Sequence, residues 1–331
     1  MENMMLTFFK KYSIYLFLIG ALAIGALLMR AFDEPEQSKN NNCDKDYPFI
    51  NQDIDCATFD QTADQVDELH EQVDKIVQNE KSAHHIDRAS VFFRDLNTRR
   101  WFGVDDTDAY YPGSLVKLPL AMAYYKLAEL QPGILDEKLS IPKDVVIADN
   151  ADQHYPPTDP LSAETAYPIS ELVRHMLIYS DNTPFSPLME TGRLFVSKAF
   201  HDLGVEEVRE GDTVTGWTSS VRTYAGALRS LYNASYLDAE YSNKVLSMLS
   251  QSTFTKGIVS GVPQGVKVAH KFGEGTGVTS NDQAVNHTLN DCGIVYKPEN
   301  PFVICIMTEG KDFSQMEKVI QDITRASYDA L

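Results

Sequence analysis

Ser114 and Lys117 stand three residues apart at the head of a long apolar run that reaches Leu130. On a helix, positions i and i+3 project from the same face, so hydroxyl and ammonium share one side of the chain. A lysine drawn out of water shifts towards its neutral amine and can then take a proton, which makes a neighbouring serine hydroxyl nucleophilic. A plainer reading fits the same four residues: Ser114 caps the helix and Lys117 points to water. Spacing does not separate the two, because Ser140-Ile-Pro-Lys143 repeats it with no sign of chemistry. Two further polar groups come later in the chain, Ser180-Asp181-Asn182 and Lys271-Phe272-Gly273. Alone, the first reads as an ordinary helix-ending turn and the second as a strand-edge lysine.

Such groups do chemistry only if the fold brings them together, so the elements that carry them come next. Val66, Leu69, Val73, Ile76 and Val77 recur at helical spacing within 63–78. Residues 88–104 read as two strands around an Asp-Leu-Asn-Thr turn. A helix follows over 114–130, with Pro119 early enough to bend it or shift its start. Residues 169–182 form another helix that runs into the Ser180 tripeptide, and 219–235 and 240–252 form two more. Strands return at 265–273, 291–296 and 302–310, the last two joined as a hairpin by Lys297-Pro-Glu-Asn-Pro301. A helix over 313–331 closes the chain. Strands at both chain ends with helices between them predict an α/β (α+β) architecture. One antiparallel sheet is built from both ends and flanked by helices, with an all-helical subdomain inserted.

The 331 residues carry a net charge of -18, which makes the chain a poor candidate for nucleic-acid binding, since that needs a basic face. The sequence contains no phosphate loop, dinucleotide fingerprint or zinc spacing, and His84-His85 reads as a bare surface pair. Ser13 to Met29 are seventeen residues without charge, preceded by Lys10 and Lys11. As a helix they would span ~25 Å, the short end for a bilayer core. The basic residues on the N-terminal side place the remainder of the chain outside. We read 1–30 as a membrane anchor rather than a cleaved signal, 31–62 as an extracytoplasmic linker and 63–331 as the functional domain. Cys43 and Cys56 flank an acidic segment of that linker. Cys292 and Cys305 lie on the final hairpin, either bridged or as two buried thiols.

The three polar motifs, in this order and each on its expected element, resemble those of the serine acyl-transferases that comprise penicillin-binding proteins and class A β-lactamases. "YYPGSLVK" is similar to the family's aromatic-Pro-Ala-Ser-x-x-Lys opening, and "LIYSDNTP" to its Ser-Asp-Asn loop. "GVPQGVKVAHKFGEGTGV" is similar to its Leu-Pro-x-Gly approach to a Lys-Thr-Gly strand. The likeness runs from about Asp64 to the C-terminus and implies a β-lactamase/DD-peptidase-like fold. It implies that Ser114 attacks an acyl carbonyl with Lys117 as its base, and that Ser180 relays a proton to the leaving nitrogen. Lys271 would lower the pKa of Ser180 and attract a substrate carboxylate, and Asn182 would donate to the substrate amide. The backbone N–H groups of Ser114 and Glu274 would bind the oxyanion, and Gly273 would leave room for substrate along the strand. No metal or organic cofactor is implied. The substrate class is a cell-wall peptide or another small amide or ester, with D-Ala-D-Ala carboxypeptidase activity in front. The alternatives are β-lactam hydrolysis and a sensor that acylates once or only binds.

Two departures from the family pattern stand out. Phe272 replaces the hydroxyl residue that bonds a substrate carboxylate, leaving Thr276 and Thr279 as substitutes. Between Asn182 and Lys271 there is no Glu-x-x-Leu-Asn segment to activate a hydrolytic water, and 202–228 reads as passing from a helix end directly to the next helix. Glu206, Glu207 and Glu210 in this stretch read as solvated surface charge. An acyl ester on Ser114 is therefore expected to hydrolyse slowly.

Overall fold

The computed structural model describes Phe49 and residues 64–143, 153–210, 213–278 and 284–331. The N-terminal apolar run, the linker with Cys43 and Cys56 apart from Phe49, and Thr279 lie outside them. Among the described residues no helix is long and apolar enough to cross a membrane.

Helix α1 (Asp64–Ser82) buries Val66, Leu69, Val73 and Val77 as one stripe. Strands β1 (Arg88–Asp95) and β2 (Trp101–Val104) form a hairpin. Its turn closes because Asp95 Oδ1 accepts the N–H groups of Asn97 and Thr98, at 2.7 and 3.0 Å. A 3-10 turn (Gly113–Val116) then leads into α2 (Lys117–Leu130). Short strands β3 (Lys138–Ser140) and β4 (Ala166–Pro168) pair before α3 (Ile169–Ile178). Helices α4 (Phe185–Thr191) and α5 (Arg193–Asp202) follow.

Here the chain departs from expectation. Instead of running straight to the next helix, it forms an antiparallel hairpin, β5 (Glu206–Glu210) with β6 (Thr213–Thr218). Its first strand is four-fifths charged and has no apolar alternation, so hydrophobic periodicity could not reveal it. Glu206 and Glu210 are exposed and Glu207 pairs with Arg209, in keeping with surface charge.

Helices α6 (Val221–Tyr232) and α7 (Ala239–Leu249) each start at a side-chain cap, Ser220 accepting from Thr223 N–H and Asp238 from Tyr241 N–H. A short helix α8 (Ile258–Gly261) precedes β7 (Lys267–Val278), β8 (Ala284–Tyr296) and β9 (Phe302–Gly310), and α9 (Phe313–Ala330) ends the fold.

Five strands make one sheet in the order β2-β1-β9-β8-β7, antiparallel at every junction. Strand β9 lies at its centre, and its unbroken apolar run reflects burial on both faces. On one face α1 and α9 pack over Phe93, Ile304 and Ile306. The other face carries Val303, Cys305 and Met307 against α6 and the helical subdomain. Cys292 and Cys305 stand directly opposite in the β8–β9 register and are bridged, which decides between the two readings of that pair.

Candidate active site

Helix α2 is buried nearly all round, from Leu118 to Tyr125 and again at Ala128, as befits a helix at the centre of a subdomain. Its first residue is Lys117, only 2% exposed. The plain reading of Ser114 and Lys117 therefore fails on both counts: Lys117 does not reach water, and no side chain caps the 3-10 turn or the helix. Burial obliges the Lys117 ammonium to find oxygen partners. It donates to the Ser180 carbonyl and to Asn182 Oδ1, each at 2.5 Å, and stands 3.4 Å from Ser180 Oγ.

Ser180 is able to receive it because α3 stops at Ile178 rather than continuing to Asn182 as expected. Ser180 adopts a left-handed backbone at φ +57°, a conformation that turns the chain sharply. Asp181, between the two functional groups, works inwards: its carboxylate accepts the N–H groups of Leu161 at 2.8 Å and Thr183 at 3.0 Å and so holds the turn. Asn182, with Oδ1 turned to Lys117, has its amide nitrogen on the other side.

From β7, Lys271 reaches the same hydroxyl, donating to Ser180 Oγ at 2.9 Å and to the Phe272 carbonyl at 2.8 Å. Lys271 is wholly buried. Desolvation lowers its pKa to about 7, against the opposing pull of the Asp291 and Glu274 carboxylates. Asp291 is itself buried, paired with His270 Nδ1 at 2.8 Å and accepting the Ile258 N–H at 2.9 Å.

Strand alternation sends the Phe272 side chain to the side of β7 that Glu274 also occupies, opposite to the Cβ of Lys271, and the Lys271 ammonium bends over the Phe272 ring, 4.4 Å from its centroid. That ring stacks on Phe254 with centroids 4.1 Å apart and meets Tyr155 edge-on at 5.8 Å. Gly273 also differs from expectation. A Cβ there would lie 2.3 Å from the Pro112 carbonyl and 2.9 Å from Leu115 N, so the missing side chain admits the 3-10 turn itself rather than a substrate chain. At the same junction, a Cβ on Gly113 (φ +54°) would meet the Glu274 backbone at 2.2 Å. The two glycines let strand and turn touch, bringing the Glu274 backbone beside the turn that carries Ser114.

A cavity of about 300 Å³ opens at this junction, lined by Ser114, Lys117, Asn182 and Glu274 among the expected residues. Ser180 and Lys271 lie beneath it, linked to Lys117 as described, and neither they nor Gly273 line it. Glu274 contributes more than backbone: its carboxylate accepts the N–H groups of His154 at 2.9 Å and Tyr155 at 3.0 Å. This clamp holds Gln153 in the cavity wall, where Nε2 faces the Ser180 carbonyl at 3.4 Å and Oε1 is buried without a partner among the described residues. Phe185, Trp217 and Thr276 also line the cavity. Of these only Thr276 was marked in the sequence; Gln153 and Trp217 sit in stretches without helical or strand period. Among the described residues no cluster of His, Cys, Asp and Glu suits a metal ion. Ser140 and Lys143 are exposed and lie away from the cavity lining.

A family model described as the β-lactamase enzyme family matches residues 68–331. A protein named β-lactamase from Bacillus licheniformis is 22% identical over 295 residues, covering 83% of this chain and 90% of its own. Among solved structures, PBP-A superposes with a TM-score of 0.65 at 20% identity, over 80% of this chain and 95% of that one. A class A β-lactamase from Mycobacterium abscessus superposes with a TM-score of 0.64 at 23% identity, over 80% and 98%. A PBP-A variant described as an acyl-enzyme complex with penicillin G gives 0.65 at 19%, over 80% and 96%.

Proposed function

This chain belongs to the β-lactamase enzyme family and is a serine hydrolase, and we propose that it acts on a small amide or ester through an acyl-enzyme on Ser114 that deacylates slowly. The observation that carries this reading is the convergence of Ser114, Lys117 and Asn182 on one cavity, with the Ser180 hydroxyl bonded to Lys271 beneath it.

In this reading Ser114 Oγ forms an ester bond to the acyl carbon, and the carbon–nitrogen or carbon–oxygen bond to the leaving group breaks. Lys117, acting as the neutral amine, takes the Ser114 proton, and a proton passes on through Ser180 to the leaving atom. The N–H groups of Ser114 and Glu274 hold the oxyanion. Asn182 donates its amide N–H to the acyl-side carbonyl, and the Lys271 charge makes Ser180 a better proton donor. Water then releases the acid and restores Ser114. This last step lacks an evident base. Among the described residues Glu274 is the only carboxylate lining the cavity, and both its oxygens accept backbone N–H groups. Phe185 and Trp217 supply apolar wall instead.

A cell-wall peptide is the natural substrate class for such a site in an exported domain. The charge-free run from Ser13 to Met29 supports an anchored, extracytoplasmic location. The second reading, β-lactam hydrolysis, is favoured by the names of the relatives. Intact-protein mass followed after adding a penicillin tests both. A lasting adduct of one penicillin, absent in Ser114→Ala, supports slow deacylation. Rapid drug consumption without an adduct supports a β-lactamase, and no Ser114-dependent reaction with penicillin or with an ester probe overturns the acyl-enzyme reading.

A further inference from the structure

We infer that the site selects substrates whose leaving-group side ends in an uncharged or cationic group, such as a carboxamide or an amine, and disfavours a free carboxylate there. The inference rests on the acyl-enzyme reading and narrows its substrate class.

The groups available to a carboxylate are few. The residue after the strand lysine offers no hydroxyl, because Phe272 is turned into the core and only 4% exposed. The Lys271 ammonium lies below the cavity, held by Ser180 Oγ and the Phe272 carbonyl. Lys117, the one cation among the described lining residues, is engaged with Ser180 O and Asn182 Oδ1.

The groups that repel a carboxylate and welcome an N–H donor are better placed. Glu274 lies on the strand that borders the turn, and its carboxylate is fixed in the wall by two backbone N–H groups, with the Lys271 ammonium close enough to feel its charge. Two such bonds hold the charge in place without neutralising it. Beside it, Gln153 Oε1 is a buried acceptor with no partner among the described residues, a group that costs free energy until a donor reaches it. The clamp on His154 and Tyr155 is what positions Gln153, so both acceptors are set by one interaction. An ammonium or carboxamide N–H satisfies them; a second carboxylate meets like charge in a partly desolvated wall.

The test uses three N-acyl-D-Ala-D-Ala peptides that share one acyl half and end in a free carboxylate, a carboxamide or an aminoethylamide. Hydrolysis and Ser114 acylation are followed with the whole chain. We expect kcat/KM for the carboxamide and the aminoethylamide to exceed that for the free acid by about tenfold or more. Glu274→Gln brings the three within about threefold of one another, and high salt narrows the gap in the unmodified protein. The salt arm stands even if Glu274→Gln loosens the clamp. A free acid that reacts as fast as the carboxamide in the unmodified protein, or a preference insensitive to both salt and Glu274→Gln, overturns the inference while leaving the acyl-enzyme reading intact. If none of the three acylates Ser114 and penicillin does not either, the acyl-enzyme reading falls and this inference falls with it.

Discussion

Lys271 Nζ donates to Ser180 Oγ across 2.9 Å with both side chains sealed from solvent. The same serine presents its carbonyl to Lys117 Nζ at 2.5 Å. One residue thus joins two buried lysines that come from α2 and β7, and it can do so because its left-handed backbone turns hydroxyl and carbonyl to the two sides. A left-handed serine costs about 1–2 kcal/mol, so the turn is strained in the service of the site.

Removing the hydroxyl separates strain from chemistry. Ser180→Ala keeps the strained backbone and leaves the Lys271 ammonium without its side-chain oxygen, whereas Ser180→Gly also relieves φ. Both are expected to slow acylation by about 10²- to 10⁴-fold. The glycine variant should be the more stable by about 1 kcal/mol. Stopped-flow acylation and thermal melts measure the two effects, and near-normal acylation in Ser180→Ala would falsify the relay.

Lys271 sets a pH dependence of stability. Its folded pKa is about 7 against an ordinary 10.5. Below about 7 folded and unfolded chains both hold the proton, and the cost of burying the charge is present in full. Between about 7 and 10.5 the unfolded lysine keeps a proton that the folded one has released, so this group makes stability rise with pH. The slope is at most about 1.4 kcal/mol per pH unit. Lys271→Met should abolish it, read as the difference in unfolding free energy between the two proteins from about pH 7 to about pH 9. A constant difference would mean that the ammonium is not desolvated.

The contact of turn and strand depends on Gly113. In Gly113→Ala the new Cβ would lie 2.2 Å from the Glu274 carbonyl oxygen, in addition to the strain of φ +54°. We expect a loss of about 2–3 kcal/mol, a melting point lower by about 5–10 °C and no acylation. Gly133→Ala is the control, since its φ is +100° but nothing lies within 4 Å. It should lose about 1 kcal/mol and keep full activity. Equal effects on acylation would show that the close approach is unimportant.

Phe272→Thr restores the family's residue type without restoring its function. The ring is core, stacked on Phe254, so truncation should cost about 3 kcal/mol. The new hydroxyl would start buried between Phe254, Tyr155 and the Lys271 ammonium, short of the cavity, and peptides with a free carboxylate should gain no advantage over carboxamides. A selective gain for the free acid in this variant would show that β7 can present that position to the cavity.

How much of this was legible beforehand depends on what each residue needs to be recognised. Ser114, Lys117, Ser180, Asn182 and Lys271 are identified by type, order and local spacing, which are properties of the chain. The helices and sheet strands announced themselves through periodic burial, and the cross-strand cysteines through their place on one hairpin. The β5–β6 hairpin did not, because its charged first strand faces solvent and carries no period. Gln153 did not, because it belongs to no regular element and matters only through the Glu274 clamp, made between residues some 120 positions apart.

The sequence by itself determined the family, the nucleophile candidate and the partners it would need, since these follow from side-chain chemistry and the order of elements. Only the tertiary structure decided which way each group faces. It turned Phe272 into the core, closed Gly273 against Pro112 and Leu115, sealed Lys271 beneath Ser180 and put the Glu274 carboxylate in the cavity wall. Those outcomes depend on which side of the strand each residue occupies and on what packs against it. They are properties of contacts between distant segments, which local spacing cannot carry.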